Sequence, residues 1–169
     1  MISKATIEDV SVLNKLINSA YRGESSRKGW TTEADFLDGT RCDEKTIKEI
    51  IEAKKSVFLK YKENDEILGC LRLDNRGEKM YLGMFAVDPE TQGKGVGKKL
   101  LLAAEDEARN QNCHFIEMTV ISVRVELIAW YNKHGYVGTG VEKPMEFDSP
   151  SGGVPKMDLR FVVLEKPLN

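Results

Sequence analysis

The sequence predicts an α+β fold: a mixed central sheet of about seven strands with about four helices on its two faces. Three observations carry this expectation. Short apolar runs bounded by turn residues recur along the chain. Stretches with apolar residues at helical spacing separate some of them. Paired turn signals fall between the strands in the middle of the chain.

Residues 2–4 form a short apolar start, expected as an edge strand. Thr6 and Asp9 resemble a capping box, with Asp in the place usual for Glu or Gln. Val10, Leu13, Ile17 and Ala20 follow at helical spacing, and this helix should end near Gly23. Residues 23–39 are polar, with a short helical piece expected at 33–37, capped by Thr31 or Thr32. A second helix is expected over 43–53, with Ile47, Ile50 and Ile51 facing the core. Strands over 56–62 and 66–74 flank Asn64-Asp65, a hairpin signal. Asn75-Arg76-Gly77 turns the chain into a third strand, 79–87, so apolar that both its faces should be buried. A helix over 93–110, a strand over 114–121 and a helix over 123–133 follow. Gly135 suits a left-handed helix cap. Late strands at 136–141 and 157–165 flank a loop rich in Pro, Gly and Ser. No internal repeat or linker divides the chain, so residues 1–169 are expected to form one domain.

Composition narrows the function classes. The 41% hydrophobic and 31% charged residues fit a soluble globular protein. No apolar run approaches membrane-spanning length, and the N-terminus lacks a signal-peptide core, so a cytoplasmic location is expected. The net charge of −2 is spread along the chain, which argues against nucleic acid or an anionic membrane as a partner. Cys42, Cys70 and Cys113 form no CxxC pair, and their odd number excludes a complete disulfide framework within the chain. His114 and His134 lie far from ligand spacing, so no metal site is expected. Cys70 reads as core packing in a strand.

The most informative stretch runs from Val87 through Gln92, Gly93, Lys94, Gly95, Val96 and Gly97 to Lys98 and Lys99. A buried strand ends, the chain turns, and a helix opens among alternating glycines. The first turn of a helix offers unpaired N–H groups and a partial positive charge. Glycines allow an anion to approach the backbone closely. Lys94, Lys98 and Lys99 add positive charge, so a pyrophosphate is the expected guest. Two nucleotide-binding patterns fail. A Walker loop ending at Gly97-Lys98 would need glycine at Gln92 and Ser or Thr at Lys99. A dinucleotide fingerprint starting at Gly93 would need glycine at Lys98. Glycines that merely permit tight helix packing are the remaining alternative.

This junction resembles the GNAT superfamily of acyl-CoA-dependent N-acetyltransferases. Gln92-Gly93-Lys94-Gly95-Val96-Gly97 matches its Gln/Arg-x-x-Gly-x-Gly/Ala pattern, and Phe85-Ala86-Val87-Asp88-Pro89 looks like the strand before it. Ala129-Trp130-Tyr131-Asn132-Lys133-His134-Gly135-Tyr136 resembles the family's second motif, and Lys4–Asp9 its opening. The resemblance implies a mostly antiparallel GNAT-like sheet and acetyl-CoA as cosubstrate. It implies that the backbone from Gln92 to Gly97, with Lys98, holds the pyrophosphate. The strand of Phe85, Ala86 and Val87 would pair with the pantetheine arm and splay from the strand of Ile116 and Val120. An N–H near Phe85 or Ala86 would polarise the thioester carbonyl. Tyr131 stands where the family tyrosine protonates the departing thiolate; a phenol, with a pKa of about 10, can do so while staying neutral at pH 7. Tyr136 is expected to pack in the core. Arg124 departs from the family's usual Asn, and both a cofactor contact and a solvated side chain stay open.

The acceptor is expected to be a small-molecule amine, with a protein amine also open and a homodimer compatible with the sequence. The acidic residues Glu24, Glu33, Asp35 and Asp38 suit a cation. Glu33, just after Trp30, is singled out for catalysis or substrate contact, since a tryptophan beside a carboxylate can hold an ammonium. A helix-start role for the same acids is the alternative. The implied function is acetyl transfer to a primary amine by direct attack. A non-catalytic acyl-CoA sensor and a nucleotide-binding protein are the competing readings.

Overall fold

The structure, a computed structural model, describes residues 1–21, 37–38, 42–144, 154–155 and 160–169. The strands are β1 (Ile2–Lys4), β2 (Leu37–Asp38), β3 (Ser56–Glu63), β4 (Glu66–Asn75), β5 (Lys79–Val87), β6 (Phe115–Ile121), β7 (Val137–Pro144), β8 (Val154–Pro155) and β9 (Arg160–Pro167). The α-helices among the described residues are α1 (Val10–Tyr21), α2 (Glu44–Glu52), α3 (Val96–Asn110) and α4 (Val125–Lys133). Seven strands form one sheet in the order β1-β3-β4-β5-β6-β9-β7; β2 and β8 pair separately. Only β5 and β6 run parallel; the other neighbours in the sheet are antiparallel. The expected mixed, mostly antiparallel seven-stranded sheet with four helices is the fold.

Local chemistry places the elements. The Thr6 N–H donates to the Asp9 carboxylate at 2.8 Å, closing a 3-10 turn (Ile7–Asp9) that leads into α1. Asp43 caps α2 by accepting from the Thr46 N–H at 2.8 Å. Asn64 and Asp65 both take positive φ, 51° and 64°, which matches the twist a tight hairpin requires. Gly135 (φ 93°) follows α4, and the Tyr136 N–H returns to the Tyr131 carbonyl at 3.1 Å.

Some boundaries differ from expectation. The helix expected from residue 93 begins at Val96, because Gly93 and Gly95 hold φ of 90° and 86°, outside the right-handed helical region. The helix expected from 123 begins at Val125, since Arg124 (ψ 63°) is not helical. Leu37, expected at the end of a helical piece, pairs in a strand with Pro155. The rest of that piece lies outside the described residues.

The core has two parts, one on each face of the sheet. Leu71, Leu73, Met80, Leu82 and Ile116 pack with Leu100, Leu101 and Ala104 of α3 and with Leu127 and Tyr131 of α4. On the other face, Phe58, Cys70, Met84 and Ala86 pack with Leu13 and Ile17 of α1 and Ile47 of α2. Cys70 is fully buried, as expected, and burial pushes its thiol pKa far up.

Gly69 sets how closely α3 lies on β4. A Cβ there would stand 2.7 Å from Leu100 Cδ1 and 3.0 Å from Val96 Cγ1. Leu100 is fully buried and has nowhere to retreat. Gly69→Ala should therefore destabilise the protein by about 1–3 kcal/mol, the usual range for overpacking. Urea unfolding checks this; parental stability would mean that α3 lifts without cost.

Candidate functional site

The site begins with a fault in the sheet. β4 and β5 pair in register except between Cys70 and Arg72, whose partners are Ala86 and Gly83. One residue of β4 thus faces two of β5, Met84 and Phe85, and Met84 takes φ 47°. This bulge reverses which side chains face which way, because strand side chains alternate. Before it, Met80 and Leu82 face α3; after it, Phe85 and Val87 do, while Met84 and Ala86 turn to the α1 side. Without the bulge, Phe85 would point to the opposite face.

Beside the bulge, the sheet opens. β5 and β6 pair only over Lys79–Phe115, Met80–Ile116 and Tyr81–Glu117. β6 then stays with β9 to the Ile121–Phe161 pair, while β5 stays with β4 to the Val87–Gly69 pair. The two strands fork beyond Tyr81, so the part of β5 holding Phe85 and Val87 has no β6 partner in the ladder.

At the end of β5, the loop into α3 is held by its own polar groups. The Gln92 amide Nε2 donates to the Val87 carbonyl at 3.0 Å, tying the loop back to the strand. Asp88 accepts from the Glu90 N–H at 2.9 Å, and its carbonyl accepts from the Thr91 N–H at 2.9 Å. The Lys99 N–H donates to the Gly95 carbonyl at 3.1 Å as α3 begins, so the N–H groups just before it open the helix without intrahelical partners. A Cβ on Gly93 or Gly95 would meet nothing within 4 Å. Their requirement is conformational, and the space above the loop is open to a guest.

The fork, the loop and α4 enclose a cleft of about 390 Å³ lined by Phe85, Val87, Gln92, Gly93, Gly95, Gly97, Lys98, Leu127, Trp130, Tyr131 and His134. Its walls are mostly apolar, and its polar end is the glycine loop with Lys98. Tyr131 is 5% exposed; its ring lies 6.4 Å from Phe85, 5.2 Å from Trp130 and 6.0 Å from Tyr136. The fold thus brings Phe85, Val87, Gln92, Gly93, Gly95, Gly97, Lys98 and Tyr131 to one cleft. Three other candidates, each in a stretch named for its main chain, have side chains outside the lining: Val96, the first residue of α3, is buried in the core, Ala86 faces the opposite core, and Lys94 is exposed. Lys99 lies 5.5 Å from the Tyr61 ring, away from the lining. Glu33 lies outside the described residues. Arg124 is buried, 7% exposed, which removes the solvated reading.

Leu127, Trp130 and His134 line the cleft without having been named for it. Their spacing with Tyr131 is the missed signal: intervals of three and four residues put all four on one helix face. The Trp130 carbonyl accepts from the His134 ring Nδ1 at 2.8 Å, and the two rings lie 4.3 Å apart, which fixes the imidazole at the cleft wall.

Residues 14–136 match the acetyltransferase (GNAT) family, and the chain belongs to that family. An uncharacterized protein of Bacillus subtilis, YdhI, is 30% identical over 79 residues, spanning 47% of this chain and 48% of that protein. The fold is shared with the ribosomal-protein-S18-alanine N-acetyltransferase of Escherichia coli, with a TM-score of 0.74 and 15% identity over 100% of this chain and 94% of that one. It is also shared with the PaiA N-acetyltransferase of Thermoplasma acidophilum, whose structure is a complex with coenzyme A. There the TM-score is 0.73 and the identity 18%, over 99% of this chain and 98% of that one.

Among the described residues, no helix is long and apolar enough to cross a membrane, and no cluster of His, Cys, Asp and Glu could hold a metal ion.

Proposed function

We propose that the protein is an N-acetyltransferase that uses acetyl-CoA to acetylate a primary amine by direct attack. The observation that carries this reading is the fork between β5 and β6, which opens onto a cleft with an anion-binding helix start at one end and Tyr131 in its wall. The residues fit the cofactor's chemistry. Left-handed glycines leave room above the loop, and the N–H groups there, with Lys98, suit a pyrophosphate. Phe85, Val87, Leu127 and Trp130 suit an apolar arm, and the β5 edge beside the fork offers it backbone groups.

Bound acetyl-CoA would supply an acetyl group activated as a thioester. The backbone N–H near Phe85 or Ala86 polarises the carbonyl to be attacked. The acceptor amine arrives protonated and must lose a proton before attack. Tyr131 holds a proton on Oη for the leaving thiolate. Glu33 keeps its place as a candidate contact for the amine.

The deciding experiment is a broad acceptor screen followed by release of free CoA thiol. Thiol release that depends on a primary amine supports transfer; tight acetyl-CoA binding without release with any amine would mark a sensor instead. The loop is tested separately. Gly95→Glu places bulk and negative charge at the pyrophosphate end, on a backbone already at φ 86°. CoA affinity should fall at least tenfold, about 1.4 kcal/mol, in a folded protein. Unchanged affinity by calorimetry would remove the loop from the site.

A further inference from the structure

We propose that His134, when protonated, donates from Nε2 to a phosphate oxygen of bound CoA, so that the protein holds its cofactor more tightly as pH falls. This rests on the acetyl-CoA reading and adds to it a residue outside the glycine-loop motif. His134 ends α4 as its C-terminal cap and lines the cleft together with the loop glycines and Lys98. Two ring contacts carry it to that end of the cleft. A Cβ on Gly97 would stand 3.6 Å from Trp130 Cζ2, so the indole lies against the first turn of α3. The imidazole in turn stacks on the indole, with ring centroids 4.3 Å apart.

The helix holds the ring by one nitrogen. The Trp130 carbonyl, which can only accept, lies 2.8 Å from Nδ1, so Nδ1 carries a hydrogen. Nε2 is then the nitrogen left to meet a guest. It offers a lone pair in the neutral ring and a second N–H in the cation. The rest of the lining decides which of these is useful. The loop backbone and the Lys98 ammonium donate, and the described lining contains no carboxylate. A guest at this end has to accept, so a lone pair on Nε2 finds nothing to receive and an N–H finds a partner.

The groups around the ring set what its charge costs. Lys98 of α3 and the exposed Lys133 of α4 oppose it. Lys166 of β9 is also close, since a Cβ on Gly135 would stand 3.1 Å from its Cε, but its Nζ is paired with Glu105 at 2.9 Å. Tyr131 of α4 shares the cleft wall and brings a phenol. In favour of the cation are the partial negative charge at the end of α4 and the Trp130 indole, tilted 41° to the imidazole. A phosphate bound beside Lys98 offsets the lysines and supplies the acceptor, so phosphate binding and protonation favour one another. The bond needs the cation. Its contribution is therefore full below the ordinary imidazole range, about pH 6.5, and is lost as pH rises through it.

The test measures CoA affinity by calorimetry at about pH 6 and about pH 8, on either side of that range, in the parent, His134→Asn and His134→Gln. Asn keeps an N–H for the Trp130 carbonyl and removes Nε2. Gln reaches towards the Nε2 position with an uncharged amide. A phosphate monoester itself titrates at about pH 6, so each variant is compared with the parent at the same pH, and dephospho-CoA is measured beside CoA. At the lower pH the parent should bind CoA about tenfold more tightly than either variant, the scale of a hydrogen bond to a charged group. At the higher pH the three should agree within about twofold, because the cation is gone. An excess that survives with dephospho-CoA assigns the partner to the pyrophosphate, and one that vanishes assigns it to the 3′-phosphate. Parent-to-variant ratios that are equal at both pH values would overturn the proposal, since the ring would then act without its second proton. Parental affinity in His134→Asn at the lower pH would also overturn it and leave His134 as a tie to the Trp130 carbonyl. Either of these results leaves the acetyl-CoA reading standing. A parent that binds no CoA at either pH takes down that reading, and this assignment with it.

Discussion

Tyr131→Phe is expected to slow acetyl transfer by roughly 10²–10⁴, the range for removing a positioned general acid, while leaving CoA affinity largely intact. The ring and the hydroxyl have separable roles. The ring fills the space between Phe85, Trp130 and Tyr136, and phenylalanine keeps those contacts. In the proposed mechanism the hydroxyl alone carries the proton for the leaving group. Stability should move by no more than about 1 kcal/mol, the net worth of a typical hydrogen bond. The rate must be read in a single turnover, because slow amine deprotonation or product release would mask a loss at thiolate departure. A variant that turns over at the parental rate under those conditions would assign the acid to water or to another group. Tyr136→Phe is the matched control. It deletes a hydroxyl of the same chemistry on a ring 6.0 Å away, from a fully buried side chain outside the cleft lining, and should cost stability rather than rate.

The spacing of Gln92, Gly93, Gly95 and Gly97 was enough to locate the loop, because left-handed backbone and an open helix start are properties of a few consecutive residues. The strand ahead of the loop was legible as a strand and no further. Its apolar run said that both faces are buried, which holds from Met84 to Val87, whereas Lys79, Tyr81 and Gly83 stay half-buried. Which residue faces which side depends on the bulge at Met84, and nothing about a methionine announces φ 47°. A run that is apolar at nearly every position also gives no alternation from which a slip could be noticed. Ala86 entered the candidate set for its backbone N–H beside Phe85 and Val87, and its side chain faces the other core. The start of α3 moved for a related reason: the motif glycines read equally well as a first helical turn or as the turn before it. The fork was expected from the resemblance alone, since strand pairing over long sequence separation leaves no local trace. Glu105 was missed because helical periodicity marks apolar residues, and a carboxylate among them looks like an error of one position.

That carboxylate carries the second large expected effect. The Glu105 side chain is 4% exposed, and it accepts from Lys166 Nζ at 2.9 Å and from Tyr136 Oη at 3.2 Å, with Arg109 at 3.8 Å. Burial, followed by the Glu105 charge beside it, pushes the Tyr136 hydroxyl far above the usual phenol range, so it stays protonated and donates. Glu105→Ala would leave that hydroxyl without its acceptor inside a fully buried residue and leave Lys166 without its close partner. Breaking one side of a buried charged network typically costs about 3–5 kcal/mol. Lys166 is 25% exposed on its side chain and can turn towards water, so the lower end of that range is expected. The double variant Glu105→Leu with Tyr136→Phe removes the acceptor and the donor together and should recover part of the loss. Denaturant unfolding of both variants checks this, with midpoint and slope read separately. The same network bears on the cleft, because the Tyr136 ring meets Tyr131 edge-on at 69°. A folded Glu105 variant should therefore also show weaker CoA binding, since the Tyr131 wall of the cleft rests on a loosened neighbour. Parental stability in Glu105→Ala would mean that water enters to replace the carboxylate and that the α3–β9 contact does not depend on this charge.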